Sequence, residues 1–304
     1  MVKDFISLAD FTADELMHFL NLADELKAQK KVGIPHPLLN GKTLALIFEK
    51  PSLRTRLTFQ VGMYQLGGTT QLIDTRLGER ESVADVARNL ERWVDGIMAR
   101  TFAHKHVIEL AEKASIPVIN ALTDKLHPCQ ILADVQTLRE HKGKDLSSLK
   151  VAFVGDGNNV FHSWANFVSR LPLNLTLVCP EGYEGDPEII ERVRKETRAE
   201  FVITQDPEAG LKDADAVYTD VWASMGQEDE AAERAKIFAP YQVNSTLMGW
   251  AKKDALFMHC LPAHRGAEVT SEIIDGPNSV CFDQAENRLH AQKAVLATLM
   301  GGVS

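Results

Sequence analysis

The stretch KTLALIFEKPSLRTRLTFQVGMYQLGG, residues 42–68, reads as strand, turn and helix in succession. Its apolar run over 42–48 suits a buried strand. After Pro51, the group Ser52-Leu53-Arg54-Thr55-Arg56 opens a helix. That helix continues through Leu57, Val61, Tyr64 and Gln65 and stops at Gly67–Gly68. The turn concentrates charge and hydroxyls where a helix begins. Free backbone N–H groups and the positive end of the helix dipole favour a phosphate at such a place. Ser52 and Thr55 add donors, and Arg54 adds a planar fork matched to phosphate oxygens. The plainer alternative is an N-cap serine beside surface arginines.

Working outward, the same alternation recurs. Strand-like runs are TQLID, GIMAR and IPVIN, with the helical segment ESVADVARNLERWV among them. Upstream, Thr12 and Glu15 form a capping-box pattern before FTADELMHFLNLADELKAQ. A second series runs through LKVAFVGDG, NLTLVC, EFVIT, DAVYTD and ALFMHC. Strand–helix alternation at this spacing predicts parallel sheets with right-handed crossovers. Two series predict two doubly wound α/β domains, hinged within ADVQTLREHKGKDLSS. The last segment, AENRLHAQKAVLATLM, reads as an amphipathic helix.

The 304 residues carry a formal net charge of −9, which argues against a nucleic-acid surface. The four cysteines show no CxxC spacing and read as free thiols of a cytoplasmic protein. No apolar stretch approaches the roughly 18 residues of a membrane span. The N-terminus has no signal-peptide pattern.

Ligands of open parallel sheets bind beyond the carboxyl ends of the strands. The residues that follow the expected strands are therefore the candidates. They are the Ser52–Arg56 turn, Arg100, His127 with Gln130, the GDGNN turn at 155–159, Asp220 with Ser224 and Met225, and His259-Cys260-Leu261. Parallel strands would send these clusters to one cleft between the domains. No GxxxxGKS or GxxxxGKT loop occurs, which disfavours a nucleoside-triphosphate enzyme. VAFVGDGNN starts like a dinucleotide fingerprint, but Val160 holds the third glycine position, so no cofactor is expected. HCLPAH and HPCQ lack the repeated spacing of a zinc site, so no metal is expected. His259, inside an apolar run, fits a core histidine; His104, His106 and His141 read as surface residues. Adjacent strand residues point to opposite faces, so His259 is not expected to serve Cys260 as a base. Cys260 reads instead as a polar wall against a substrate amine.

The motifs SLRTR, HPCQILAD, FVGDGNN, TDVWASMG, MHCLPAHRG and FDQAENR, in this order and spacing, resemble the ornithine carbamoyltransferases of the aspartate/ornithine carbamoyltransferase superfamily over essentially the whole chain. The resemblance implies transfer of the carbamoyl group of carbamoyl phosphate to the side-chain amine of L-ornithine. The products are L-citrulline and phosphate, in arginine biosynthesis or the reverse catabolic route. It implies a carbamoyl phosphate-binding domain at 1–140 plus 285–304, and an ornithine-binding domain at 141–284. Ser52, Leu53, Arg54, Thr55, Arg100, His127, Gln130, Cys260, Leu261 and Arg288 would hold carbamoyl phosphate. Asn159, Asp220, Ser224 and Met225 would hold ornithine. Arg100, His127, Asp220 and Cys260 would carry the catalysis. The family assembles as homotrimers or multiples of trimers, with small-molecule substrates, no cofactor, no nucleic acid and no membrane. Two positions depart from its pattern. Leu53 replaces a threonine, which keeps a backbone donor and loses a hydroxyl. Arg76 replaces a glutamine that reaches a neighbour's site, and as a cation it could still contact phosphate.

Overall fold

The structure, a computed structural model, describes residues 4–223 and 228–302. The chain forms two compact units, Met1–Gln136 with Glu286–Ser304, and Thr137–Ala285.

In the first unit the chain runs α1 (Ala13–Lys31), β1 (Thr43–Phe48), α2 (Leu53–Gln65), β2 (Thr69–Asp74), α3 (Val83–Leu90), β3 (Gly96–Arg100), α4 (His104–Lys113) and β4 (Val118–Leu122). Then α5 (Pro128–Lys142) carries it into the second unit. There follow β5 (Lys150–Val154), α6 (Asn159–Val168), β6 (Asn174–Val178), α7 (Pro187–Glu196), β7 (Phe201–Thr204), α8 (Pro207–Leu211) and β8 (Ala216–Thr219). Next come α9 (Ala231–Phe238), α10 (Ser245–Met248), β9 (Leu256–His259), α11 (Ser271–Ile274) and α12 (Cys281–Gly301), whose later part belongs to the first unit again.

Both sheets are parallel throughout, as the alternation predicts. Their orders are β2-β1-β3-β4 and β7-β6-β5-β8-β9. In the first, the chain steps from β1 outward to β2 and then returns to the other side for β3. The gap beyond the ends of β1 and β3 is thus a switch point, where open α/β sheets bind ligands. The second sheet switches in the same way between β5 and β8. Central strands are apolar on both faces because helices cover both: β1 is buried from Leu44 to Phe48, and β5 from Val151 to Val154. The edge strands β2 and β7 are not fully buried at any residue.

Local signals are satisfied as the sequence suggests. Thr12 and Glu15 bond reciprocally at the start of α1, Thr12 N–H to Glu15 Oε2 at 2.9 Å and Glu15 N–H to Thr12 Oγ1 at 3.3 Å. Gly67, at φ +83°, ends α2 in the left-handed region that glycine enters without penalty.

Two helices differ from what their apolar spacing suggests. α2 buries Thr55, Phe59, Gly62 and Met63, while Leu57 and Val61 face solvent and Tyr64 is 81% exposed. α12 begins at Cys281 and is not amphipathic: every residue from Leu289 to Thr298 is buried. Two of its polar members find partners inside the first unit. Lys293 Nζ lies 3.0 Å from both His36 Nε2 and Gln65 Oε1, and His18 Nε2 lies 3.1 Å from Thr298 Oγ1. A Cβ at Gly62 would stand 3.3 Å from Lys293 Cγ, so that glycine lets α2 lie close against α12.

Candidate active site

The switch point of the first unit is built on α2. Ser52, in extended conformation, caps the helix by accepting from the Thr55 N–H at 3.4 Å. Arg100 closes β3 where the β3–β4 register shifts, pairing Ala99 with Asn120 but Arg100 with Leu122. A bulge of this kind re-aims a side chain. Here the guanidinium Nη1 of Arg100 reaches Thr55 Oγ1 at 3.4 Å. Arg288, from α12, reaches the same oxygen at 3.3 Å and Gln130 Oε1 at 2.6 Å. Thr55 Oγ1 thus accepts from two cations, and its own O–H remains a donor. Gln130 Nε2 donates in turn to the buried Asp134 at 2.7 Å, which fixes the amide orientation.

His127 is 4% exposed beside this group. Burial first, then the positive charges of Arg288, Arg100 and Arg54, hold its imidazole well below the ordinary histidine range. It is therefore neutral near pH 7. Ser52, Arg54, Thr55, Arg100, His127, Gln130 and Arg288 are gathered within one unit, and three of them are cations. Leu53 is 73% exposed at the helix start. Arg76 lines a cleft with Ser52, Leu53 and Arg56 and pairs with Glu79 at 3.4 Å.

Sequence reading passed over Glu49. Its carboxylate is buried and accepts two main-chain N–H groups, Leu77 at 2.9 Å and Phe102 at 2.7 Å. It thereby fastens the loops that carry Arg76 and follow Arg100. His104 and His106, expected at the surface, are half-buried here, because Thr123 bonds His104 at 2.9 Å and Glu49 lies 3.6 Å from His106.

The second unit's switch point holds Asn158, Asp220 and Cys260. Asn158 Oδ1 caps α6 by accepting from Val160 and Phe161 N–H at 2.9 and 3.2 Å, and its Nδ2 donates to Asp220 Oδ2 at 2.8 Å. Its amide thus spans the gap between β5 and β8. Cys260 Sγ donates to the other Asp220 oxygen at 3.0 Å. Asn159, the first residue of α6, is buried beside Asn158. Ser224 and Met225 lie outside the described residues. Gly157 is required by the chain itself: a Cβ there would stand 2.6 Å from the backbone of Glu184 and Gly185. Asp156 pairs with Arg234 at 2.8 Å, and Arg234 also donates to the Trp222 carbonyl at 3.0 Å.

The expectation that His259 and Cys260 face opposite sides does not hold. β9 ends at His259, and Leu261 turns the chain at φ +58°. Ligand atoms of Asp220, His259 and Cys260 consequently lie within 4.8 Å of one another. A left-handed leucine costs about 1–2 kcal/mol. His259 is nevertheless a core histidine, fully buried, with both nitrogens engaged: Nδ1 with the Leu261 N–H at 2.8 Å, Nε2 with Glu268 Oε1 at 3.2 Å. Burial raises the Glu268 carboxyl, but hydrogen bonds from His259 and the His264 N–H outweigh it and hold the group below its ordinary value.

Comparison with known proteins finds two family domains in the same order along the chain. A sequence model of the aspartate/ornithine carbamoyltransferase carbamoyl-P binding domain matches residues 3–140, and one of the Asp/Orn binding domain matches residues 147–299. The chain is 56% identical to an ornithine carbamoyltransferase of Thermococcus kodakarensis, over 99% of this chain and 97% of that one. It is 52% identical to the solved ornithine carbamoyltransferase of Pyrococcus furiosus, with a TM-score of 0.95 over 99% of this chain and 98% of that one. The anabolic enzyme of Campylobacter jejuni gives 39% identity and a TM-score of 0.93, covering 98% and 99%. With two switch-point sites of this make-up and likeness along its whole length, the chain belongs to the aspartate/ornithine carbamoyltransferase family.

Proposed function

We propose that the protein transfers the carbamoyl group of carbamoyl phosphate to the side-chain amine of L-ornithine, releasing L-citrulline and phosphate. The observation that carries this reading is the gathering of Arg54, Arg100 and Arg288 around Thr55 and a neutral His127 at a helix N-terminus. A doubly charged phosphate monoester anion fits such a place.

On this reading Ser52, Leu53, Arg54 and Thr55 bind the phosphate through hydroxyls, amides and guanidinium. Arg100, Thr55 and His127 face the carbamoyl oxygen, where negative charge develops when the amine attacks. One well-aimed donor there contributes about 3–4 kcal/mol. A neutral His127 donates a hydrogen bond without adding a fourth charge. The new N–C bond forms, the C–O bond to phosphate breaks, and the proton lost by the neutral amine is balanced by the one the released phosphate takes up as hydrogen phosphate. An alkyl amine has a pKa of about 10.4, so the attacking neutral form is the minor one in water. In the second unit, Asn159, Asp220, Ser224 and Met225 hold the amino-acid head, and Cys260 lies toward the reacting amine. Leu261 contributes its backbone.

We further infer self-association as a homotrimer in the cytoplasm. The exposed apolar face of α2, Leu53, Leu57, Val61 and Tyr64, supports the association, and four free thiols support the compartment. Among the described residues no helix is long and apolar enough to cross a membrane. A citrulline assay offering ornithine, putrescine and aspartate in parallel tests the reaction. Turnover with ornithine alone is expected; equal turnover with putrescine would remove the role given to the head-binding residues.

A further inference from the structure

The HCLP segment carries a buried pair that neither substrate reading uses. His259 is fully buried and Glu268 is 1% exposed. Around them the chain from 259 to 264 is tied at three main-chain points. The His259 N–H donates to Gln284 Oε1 at 2.9 Å, the Leu261 N–H to His259 Nδ1 at 2.8 Å, and the His264 N–H to Glu268 Oε1 at 2.5 Å. The middle tie dictates the tautomer. A nitrogen that accepts from an amide carries no proton, so the ring proton sits on Nε2, which faces Glu268 Oε1 at 3.2 Å. The residue so held, Leu261, is the one with positive φ, and its neighbour Cys260 donates to Asp220.

We propose that His259 is a positioning residue: through the neutral Nδ1 that accepts from Leu261, and with Glu268 fixing the ring, it sets the Cys260–Leu261 turn and hence the aim of the Cys260 thiol at Asp220. Its role is geometric, exerted through the backbone, and it neither touches substrate nor serves Cys260 as a base. The kinetic half of the test rests on the carbamoyl-transfer reading; the other half does not.

Two substitutions separate the ring's two nitrogens. In His259→Asn the amide oxygen stands where Nδ1 stands and keeps an acceptor for Leu261. In His259→Gln the amide nitrogen stands where Nε2 stands and keeps the Glu268 contact only. Cys260 is the partly exposed thiol among the described cysteines, since Cys129, Cys179 and Cys281 are buried, so iodoacetamide reports on it. A thiol that donates to a carboxylate is a poor thiolate; once the turn is released, His259→Gln is expected to be alkylated about tenfold faster, and His259→Asn within about twofold of the parent. Citrulline formation should follow, with kcat down about 30-fold in the glutamine variant and less than about threefold in the asparagine variant. Equal behaviour of the two variants, whether both impaired or both intact, would overturn the proposal. Should the glutamine variant not fold, hydrogen exchange of the unmutated protein decides: the Leu261 amide is expected to be strongly protected, and exchange at the rate of an open turn refutes the tie. A parent protein that makes no citrulline would sink the functional reading alone, leaving alkylation and exchange to judge His259.

Discussion

The two switch points solve the same topological problem with opposite chemistry. In the first unit, three guanidinium groups stand around one hydroxyl and one imidazole, so positive charge is concentrated at one turn. In the second, a thiol and an amide both donate to one carboxylate, and a buried His–Glu pair holds the turn beside them. The first site is marked by its charge, the second by its geometry. A charged site tolerates small displacement because Coulomb attraction is long-ranged, whereas a shaped one depends on hydrogen bonds that fail within tenths of an ångström.

This contrast can be broken most directly at Arg54. Arg54→Ala should lower kcat/KM for carbamoyl phosphate by about a thousandfold while the ornithine KM changes little; near-parent turnover in a steady-state assay would dissolve the charged-site description. Next in size is Asp220→Ala. It removes the acceptor of both Asn158 and Cys260, and should raise the ornithine KM by about a hundredfold. Carbamoyl phosphate affinity, read by calorimetry, should stay within about threefold, a small change on the affinity scale. Equal loss of both would mean the two corners are not separable.

A smaller effect is expected at Glu49, which holds the first unit's loops by hydrogen bonds rather than by charge. Glu49→Ala leaves two partly buried N–H groups without their acceptor and should cost about 2 kcal/mol in urea denaturation, with weaker phosphate binding. An unchanged midpoint would show that the loops bearing Arg76 and following Arg100 hold themselves.

The smallest effect separates the units by acid. His36, His104, His127 and His290 are all in the first unit and all pushed down chiefly by burial, His290 to about 3. These groups are neutral when folded, so their stabilisation is complete above the unfolded value of about 6.5. It is lost as pH falls toward the folded values, because the unfolded chain then binds protons that the folded one refuses. Hydrogen exchange should therefore loosen first-unit amides between pH 7 and pH 5 ahead of those in the second, and His290→Asn should shrink that difference. Uniform loosening would contradict it.

Much of this was legible in the sequence, for reasons that also mark where legibility stops. The runs LALIF (44–48) and VAFV (151–154) are apolar at every position because helices cover both faces, so the strands and their parallel pairing could be read. The ends of those strands carried Arg54, Arg100, His127 and Asp220 in plain view. Leu57, Val61 and Tyr64 announced a helix correctly, but a side chain's type does not say which face is buried, and here Phe59, Gly62 and Met63 are inside. Arg288, His290, Gln292 and Lys293 look like a solvent face yet lie in the interior, where Arg288 and Lys293 meet hydrogen-bond partners as far as 257 residues away. Glu49 and Glu268 gave no signal, because a carboxylate that caps main-chain amides is indistinguishable in sequence from one on the surface.

Arg288 reaches a threonine 233 positions earlier in the chain. During synthesis the ribosome must deliver the whole second unit before that guanidinium exists. A nascent polypeptide can therefore pair the four strands of its first sheet early, but α12, which packs beside α2 at Gly62 and brings the third cation, arrives only after the whole second unit has been made.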